Sequence, residues 1–174
     1  MPYKNFIATY VVLRVAVEGP AFNGRVKSME PRSILKNSYL LRGVSANDLD
    51  AVLSLTERKA ARHGEVIYET GGGADAMFFV EIGTVDITVK GKEIPIITAG
   101  TGQSFGELGF FRLANRPVSA VARETTRLLR VPYDRLTKLL ADRPELALAI
   151  YRNARGFFAK HLEIISFEVD YRYL

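Results

Sequence analysis

The sequence contains no cysteine. That absence excludes a disulfide framework, a cysteine-ligated zinc site and an iron–sulfur cluster, and it suits a reducing, cytoplasmic setting. Sulfur redox chemistry is left to the three methionines alone. Histidine is nearly as scarce. His63 and His161 lie about a hundred residues apart with no carboxylate set beside either, which leaves a histidine-clustered metal centre without ligands. No serine stands in a nucleophile-elbow setting, so nucleophilic catalysis has no evident agent. Gly71, Gly72 and Gly73 resemble a phosphate loop, but no lysine followed by serine or threonine closes them, and a nucleoside-triphosphate site is set aside. Long apolar runs are missing too. Residues 6–17, preceded by Lys4, are interrupted by Arg14 and fall short of the ~20 residues a membrane span needs. No small-residue cleavage site follows before Glu18, Gly19 and Pro20, so this stretch reads as an N-terminal strand or helix rather than a signal segment.

What is present is an ordinary globular balance. The 174 residues are 48% hydrophobic and 25% charged, enough for one packed core plus a short extension. The formal net charge of +5 suits an anionic ligand or an acidic surface, but the basic residues are scattered, as on solvated faces.

Residues 1–33 end in turn-rich sequence and form an N-terminal extension of unassigned role. From Ile34 the pattern becomes helical, and Ser45 with Asp48 three positions on makes a capping-box-like start for a helix bearing Leu49, Val52, Leu53 and Leu55. Beyond Gly64 the runs 66–68, 77–82, 85–89, 94–97, 118–123 and 128–131 are rich in β-branched and aromatic residues. Gly71 to Gly73, Gly83, Gly91, Gly100 and Gly102 separate the first four, in the rhythm of an antiparallel roll. Pro132 opens a short helix over 133–140 as a first-turn proline, and a longer one runs over 144–165 with Leu146, Ile150, Phe157, Phe158, Leu162 and Ile165 on one stripe. The expected fold is α+β: an antiparallel β-roll, a jelly-roll-like double-stranded β-helix, flanked by N-terminal and C-terminal helices. Residues 166–174 form a tail whose Phe167, Tyr171 and Tyr173 could pack on the roll or on a neighbour.

The most informative stretch runs from Ser104 to Phe111 and closes with Asn115 and Arg116. A tight turn, a carboxylate and a guanidinium nine positions later suit a cyclic phosphodiester fused to a ribose. Gly106 lets backbone approach the ligand, Arg116 offers a fork of donors to the phosphate, and Glu107 can accept from the ribose 2′-hydroxyl. The simpler alternative is that Glu107 and Arg116 form a surface ion pair worth ~0–1 kcal/mol.

On these residues the sequence resembles the cyclic-nucleotide-binding domains of protein kinase A regulatory subunits, catabolite activator protein and nucleotide-gated channels. The likeness covers residues 34–165. Phe105, Gly106, Glu107 and Leu108 match the start of the family's phosphate-binding cassette, Arg116 stands at the cassette arginine's spacing, and glycine turns match at Gly64, Gly71 with Asp75, Gly83, and Gly100 with Gly102. The resemblance implies a cytoplasmic sensor without catalytic machinery, in which ligand repositions the C-terminal helix as a lid over the base. One departure stands out. The family places alanine, serine or threonine after the arginine and uses its amide on the phosphate; here Pro117 has no N–H, a loss of ~1.5–3 kcal/mol if nothing replaces it. Pro117 also lacks the hydroxyl that favours guanine, which leans the expectation to cyclic AMP over cyclic GMP. The expected ligand-binding set is thus Phe105, Gly106, Glu107, Leu108, Arg116, Pro117 and Val118. Arg152 and Arg155, with Asn153, are candidates to reach the base, against a solvated helix face.

The resemblance further implies an effector protein or a separate output domain, or a homodimer through the C-terminal helix. A DNA-reading helix-turn-helix needs far more residues than follow Ile165, so direct nucleic-acid contact is not expected. The alternative function is a degenerate domain of the same fold that dimerises or docks a partner without ligand, and Pro117 keeps it open.

Overall fold

The computed structural model describes residues 29–89, 91, 94–112 and 115–172, with the backbone alone at 112, 158 and 160–172. The expectation for residues 6–17 and the side chains of the tail lie outside the described residues.

A helix α1 (Pro31–Asn37) opens with proline at its first turn, and a 3₁₀ turn (Tyr39–Leu41) follows, capped by the Ser38 hydroxyl accepting from the Leu40 amide at 3.3 Å. In helix α2 (Ala46–Ser54) Ser45 caps as its spacing predicted: its hydroxyl accepts from the Asp48 amide at 3.1 Å and donates to the Asp48 carboxylate at 2.7 Å. Eight strands follow: β1 (Glu57–Ala61), β2 (Val66–Tyr68), β3 (Ala76–Ile82), β4 (Thr84–Thr88), β5 (Ile97–Gly100), β6 (Ser104–Phe105), β7 (Ser119–Ala122) and β8 (Thr126–Pro132). They form two four-stranded sheets, β1-β8-β3-β6 and β2-β7-β4-β5, with every pairing antiparallel. A short helix α3 (Leu108–Arg112) lies between β6 and β7. After β8 come α4 (Tyr133–Asp142) and the 29-residue α5 (Pro144–Arg172). This is the expected β-roll with flanking helices.

Strand β3 is apolar at nearly every position because it serves two cores. Met77 and Phe79 point into a cluster built with α1, the 3₁₀ turn, α2, α4 and α5, in which Ile34, Leu35, Leu40, Val52, Leu136, Leu146 and Ile150 are almost wholly buried. Ala76, Phe78 and Val80 point the other way, into the roll with Val85, Phe105, Ala120 and Leu128. The two-residue period of a strand delivers alternate side chains to opposite faces, and here both faces exclude water. The roll and the helical layer are therefore mechanically joined through one strand.

Four elements differ from the sequence reading. The last helix, expected to end at Ile165 before a tail over 166–174, continues to Arg172. The strand expected over 94–97 begins only at Ile97, because Pro95 has no N–H for the ladder, although the Ile96 amide does reach the Ile87 carbonyl at 2.8 Å. Strand β1 was not expected. Its Glu-Arg-Lys-Ala-Ala sequence carries no β signature, and it is a strand because β8 pairs with it from Glu57↔Arg130 to Ala61↔Thr126. Pro132 is the last residue of β8 and the cap of α4 rather than its first helical residue.

Candidate functional site

Three chain segments meet around the turn at Gly106. The first is the Phe105–Leu108 stretch itself, held to β3 by pairing of Phe105 with Phe78 and of Ser104 with Phe79. The second is the glycine turn before β3. The Gly71 amide donates to the Arg116 carbonyl and the Arg116 amide to the Gly72 carbonyl, both at 2.8 Å, so this turn clamps the arginine's backbone. Its work is to position a side chain, and the next peptide nitrogen is that of Pro117, which offers no donor. The third is Tyr133 at the start of α4, whose hydroxyl donates to the Gly106 carbonyl. Burial pushes the Tyr133 phenol up to about 12 and that of Tyr68 higher still, so both are neutral donors throughout the physiological range.

Gly106 has φ +85°, and a Cβ there would stand 3.0 Å from Arg116 Nη1 and 3.5 Å from Tyr68 Cε1. Both the left-handed backbone and the arginine's approach require glycine. Arg116 itself is only 2% exposed. Its Nη2 donates to the Ala76 carbonyl at 2.6 Å and its Nη1 to the Gly106 carbonyl at 3.0 Å, with longer contacts of 3.4 Å to Tyr133 and to Asp75. The guanidinium carbon lies 4.1 Å from the centre of the Tyr68 ring, a cation–π contact removed from water. Asp75 bridges Arg116 to Arg130 at 2.7 Å. Although partial burial pushes its carboxyl up, the hydrogen bond and charge of Arg130, joined by Arg116, hold it below the usual range.

Glu107 accepts from the Tyr39 hydroxyl at 3.0 Å through Oε1. Its Oε2 is buried with no protein partner, and so is Arg116 Nε. Burial raises the Glu107 carboxyl above the ordinary value, against the opposing pull of its own backbone amide, Tyr39 and Arg116. Glu107 and Arg116 are thus not a surface ion pair. They are two inward-facing groups, each with its own protein partners, leaving one acceptor and one donor unanswered.

Of the residues singled out in the sequence, Phe105, Gly106, Glu107, Leu108 and Arg116 come together here, and Pro117 and Val118 follow directly on the clamped backbone. Phe105 belongs to the roll core, stacked on Phe78 at 5.2 Å. Arg152 and Arg155 are exposed on α5. Asn153 instead donates to the carbonyls of Leu40 at 3.0 Å and Arg42 at 2.9 Å, pinning α5 to the 3₁₀ turn. Phe157 stacks on Tyr39 with ring centres 4.0 Å apart. Sequence reasoning missed Tyr39, Tyr68 and Tyr133. Tyr68 in its strand and Tyr133 after Pro132 had the signature of core residues, and nothing local marks any of the three as touching the Gly106 turn.

Residues 58–143 match the family model described as the cyclic nucleotide-binding domain. The chain is similar to a Rhodopseudomonas palustris protein carrying a potassium-channel name, 30% identical over 136 residues that are 76% of this chain and 32% of that one. It is also similar to the cAMP-dependent protein kinase regulatory subunit of Debaryomyces hansenii, 27% identical over 80% of this chain and 30% of that one. Among solved structures, Thermus thermophilus catabolite activator protein superposes with a TM-score of 0.66 at 27% identity, covering 78% of this chain and 63% of that one. The chain therefore spans only about a third of the length of the two sequence relatives.

Proposed function

Because residues 58–143 belong to the cyclic nucleotide-binding domain family, we propose that this chain is the sensor part of a regulatory protein and takes cyclic AMP in the cassette around Gly106. The observation that carries this reading is the pair of orphaned buried atoms, Arg116 Nε and Glu107 Oε2. A buried polar atom without a partner costs ~1–3 kcal/mol, more when charged. A cyclic phosphate supplies the missing acceptor and a ribose 2′-hydroxyl the missing donor, on one small molecule. Arg116 would carry the phosphate's countercharge, Glu107 the sugar contact, and the Phe105, Gly106 and Leu108 backbone the close approach. Pro117 and Val118 would line the phosphate's far side, Pro117 without a donor of its own.

Arg116 now spends both terminal nitrogens on the Ala76 and Gly106 carbonyls. Grip on a phosphate therefore requires the Gly106 turn to shift, and the ligand's preference for the shifted state bounds the response. In this reading α5 closes over the base, with Arg152 or Arg155 reaching it. The readout passes to an effector protein, an output domain or a dimer mate through α5. The family is mostly regulatory rather than catalytic, and a cytoplasmic sensor fits the absence of cysteine. No described helix is long and apolar enough to cross a membrane.

Isothermal calorimetry with cyclic AMP, cyclic GMP and linear AMP tests the proposal. Saturable binding of cyclic AMP, weaker for cyclic GMP and weakest for linear AMP, is expected. The inward-turned Arg116 and the missing amide of Pro117 favour the second reading, a ligand-free docking or dimerisation module, and silence toward all three nucleotides at millimolar concentration would overturn the sensor reading.

A further inference from the structure

The 3₁₀ turn Tyr39–Leu41 touches the cassette on one side and α5 on the other. Toward the cassette, Tyr39 donates to Glu107 at 3.0 Å, and the hydroxyls of Ser38 and Ser104 lie 3.3 Å apart. Toward α5, the Tyr39 ring stacks on Phe157 at 17° between planes, and Asn153 holds the carbonyls of Leu40 and Arg42. Leu40 and Leu41 are almost wholly buried in the helical core, which anchors the turn.

From this arrangement we propose that Tyr39 is the positioning residue for Glu107 and the link through which the sugar end of the ligand site is coupled to α5. The inference rests on the reading of Glu107 as the ribose acceptor. The Tyr39 hydrogen bond to Oε1, the carboxylate's one side-chain partner among the described residues, restrains its plane beyond what its own backbone amide does and so aims Oε2, the oxygen without a partner, in one direction. A carboxylate free to rotate would present that oxygen to a 2′-hydroxyl only part of the time. The same phenol is in van der Waals contact with Phe157, and any shift of Glu107 toward a ligand pulls or frees that stack. Tyr39 thus does two separable things: its hydroxyl orients the carboxylate and its ring holds the helix.

Tyr39→Phe separates them, since it keeps the ring and removes the hydroxyl. Calorimetry is run with cyclic AMP and 2′-deoxy cyclic AMP on wild type and Y39F. The preference for the ribose is expected to fall at least fivefold in Y39F, with affinity for the deoxy analogue within about twofold of wild type. An unchanged ratio in Y39F overturns the positioning role, and a packing role alone would shift both affinities together. Coupling to α5 is read without ligand, by hydrogen exchange of the α5 amides around Phe157. E107A and Y39F each remove the hydrogen bond that seats the Tyr39 ring on Phe157, so each should accelerate that exchange even though the ring itself remains, and the double variant should be no faster than either alone. Unchanged exchange in E107A, or additive effects in the double variant, refutes the link. If wild type binds neither nucleotide, the sensor reading and the positioning role fail together, while the exchange data still decide the coupling.

Discussion

Replacing Arg116 with alanine removes a buried anchor of the Gly106 turn together with the proposed phosphate contact. The side chain donates to two carbonyls at 2.6 and 3.0 Å, sits on the Tyr68 ring at 4.1 Å and is 2% exposed. Hydrogen bonds from a charged donor contribute about 1.5–3 kcal/mol each, and a desolvated cation–π contact adds ~1–2 kcal/mol. Water entering the cavity recovers part of this, so a net loss of about 3–5 kcal/mol is expected, comparable to breaking other buried charge pairs. Against a total stability of roughly 5–15 kcal/mol for a domain, that removes a large share of the margin. Arg116→Lys is the better probe of function, because it keeps the charge while its point-like ammonium does not reproduce the two-nitrogen fork on the Ala76 and Gly106 carbonyls, at a cost of ~1–2 kcal/mol. Urea unfolding followed by circular dichroism, with and without cyclic AMP, separates the two roles. Ligand at a hundred times its Kd should add about 2.7 kcal/mol to wild type, and much less to the lysine variant at the same concentration. A ligand-free Arg116→Ala protein within ~1 kcal/mol of wild type would show that the guanidinium does not hold the turn, and the reasoning about the site would fail with it.

Three further outcomes are expected. Because the folded Glu107 carboxyl is raised above its ordinary value, its contribution is fully present below that value and is lost as pH rises through the folded one; Glu107→Gln should therefore gain stability relative to wild type as pH increases, and a flat difference curve in pH-dependent denaturation would contradict the burial. Gly83→Ala places a Cβ at φ +98°, 2.6 Å from Thr126 Oγ1 and 2.9 Å from the Thr125 carbonyl, and should cost about 3 kcal/mol in chemical denaturation from backbone strain plus overpacking; a cost below ~1 kcal/mol would refute the crowding. Asn153→Ala removes both bonds from α5 to the 3₁₀ turn and should cost ~1–2 kcal/mol, seen as faster amide exchange in α5 with the strands unaffected.

Much of this could be read from local pattern. Ser45 and Asp48 announced the start of α2, the apolar runs announced β3 and β8, and Gly106 announced the tight turn that the structure shows at φ +85°. Each of these signals is carried by neighbouring residues, so the chain's own periodicity and turn chemistry suffice. Strand β1 escaped because its cause lies in β8, roughly seventy residues away. The base-contact role suggested for Asn153 gives way to a clasp on the 3₁₀ turn because the side chain's partners belong to residues over a hundred positions earlier.

The sequence alone determined the roll with its helices and marked Gly106, Glu107 and Arg116 as candidates, because backbone preference and side-chain chemistry are local properties. Only the tertiary structure decided how those groups are held: Arg116 turned inward onto the Ala76 and Gly106 carbonyls, Glu107 hydrogen-bonded by Tyr39, and Tyr39 stacked against Phe157 of the last helix. Orientation, burial and the unanswered atoms they leave depend on contacts between segments far apart in the chain, and no local pattern encodes them.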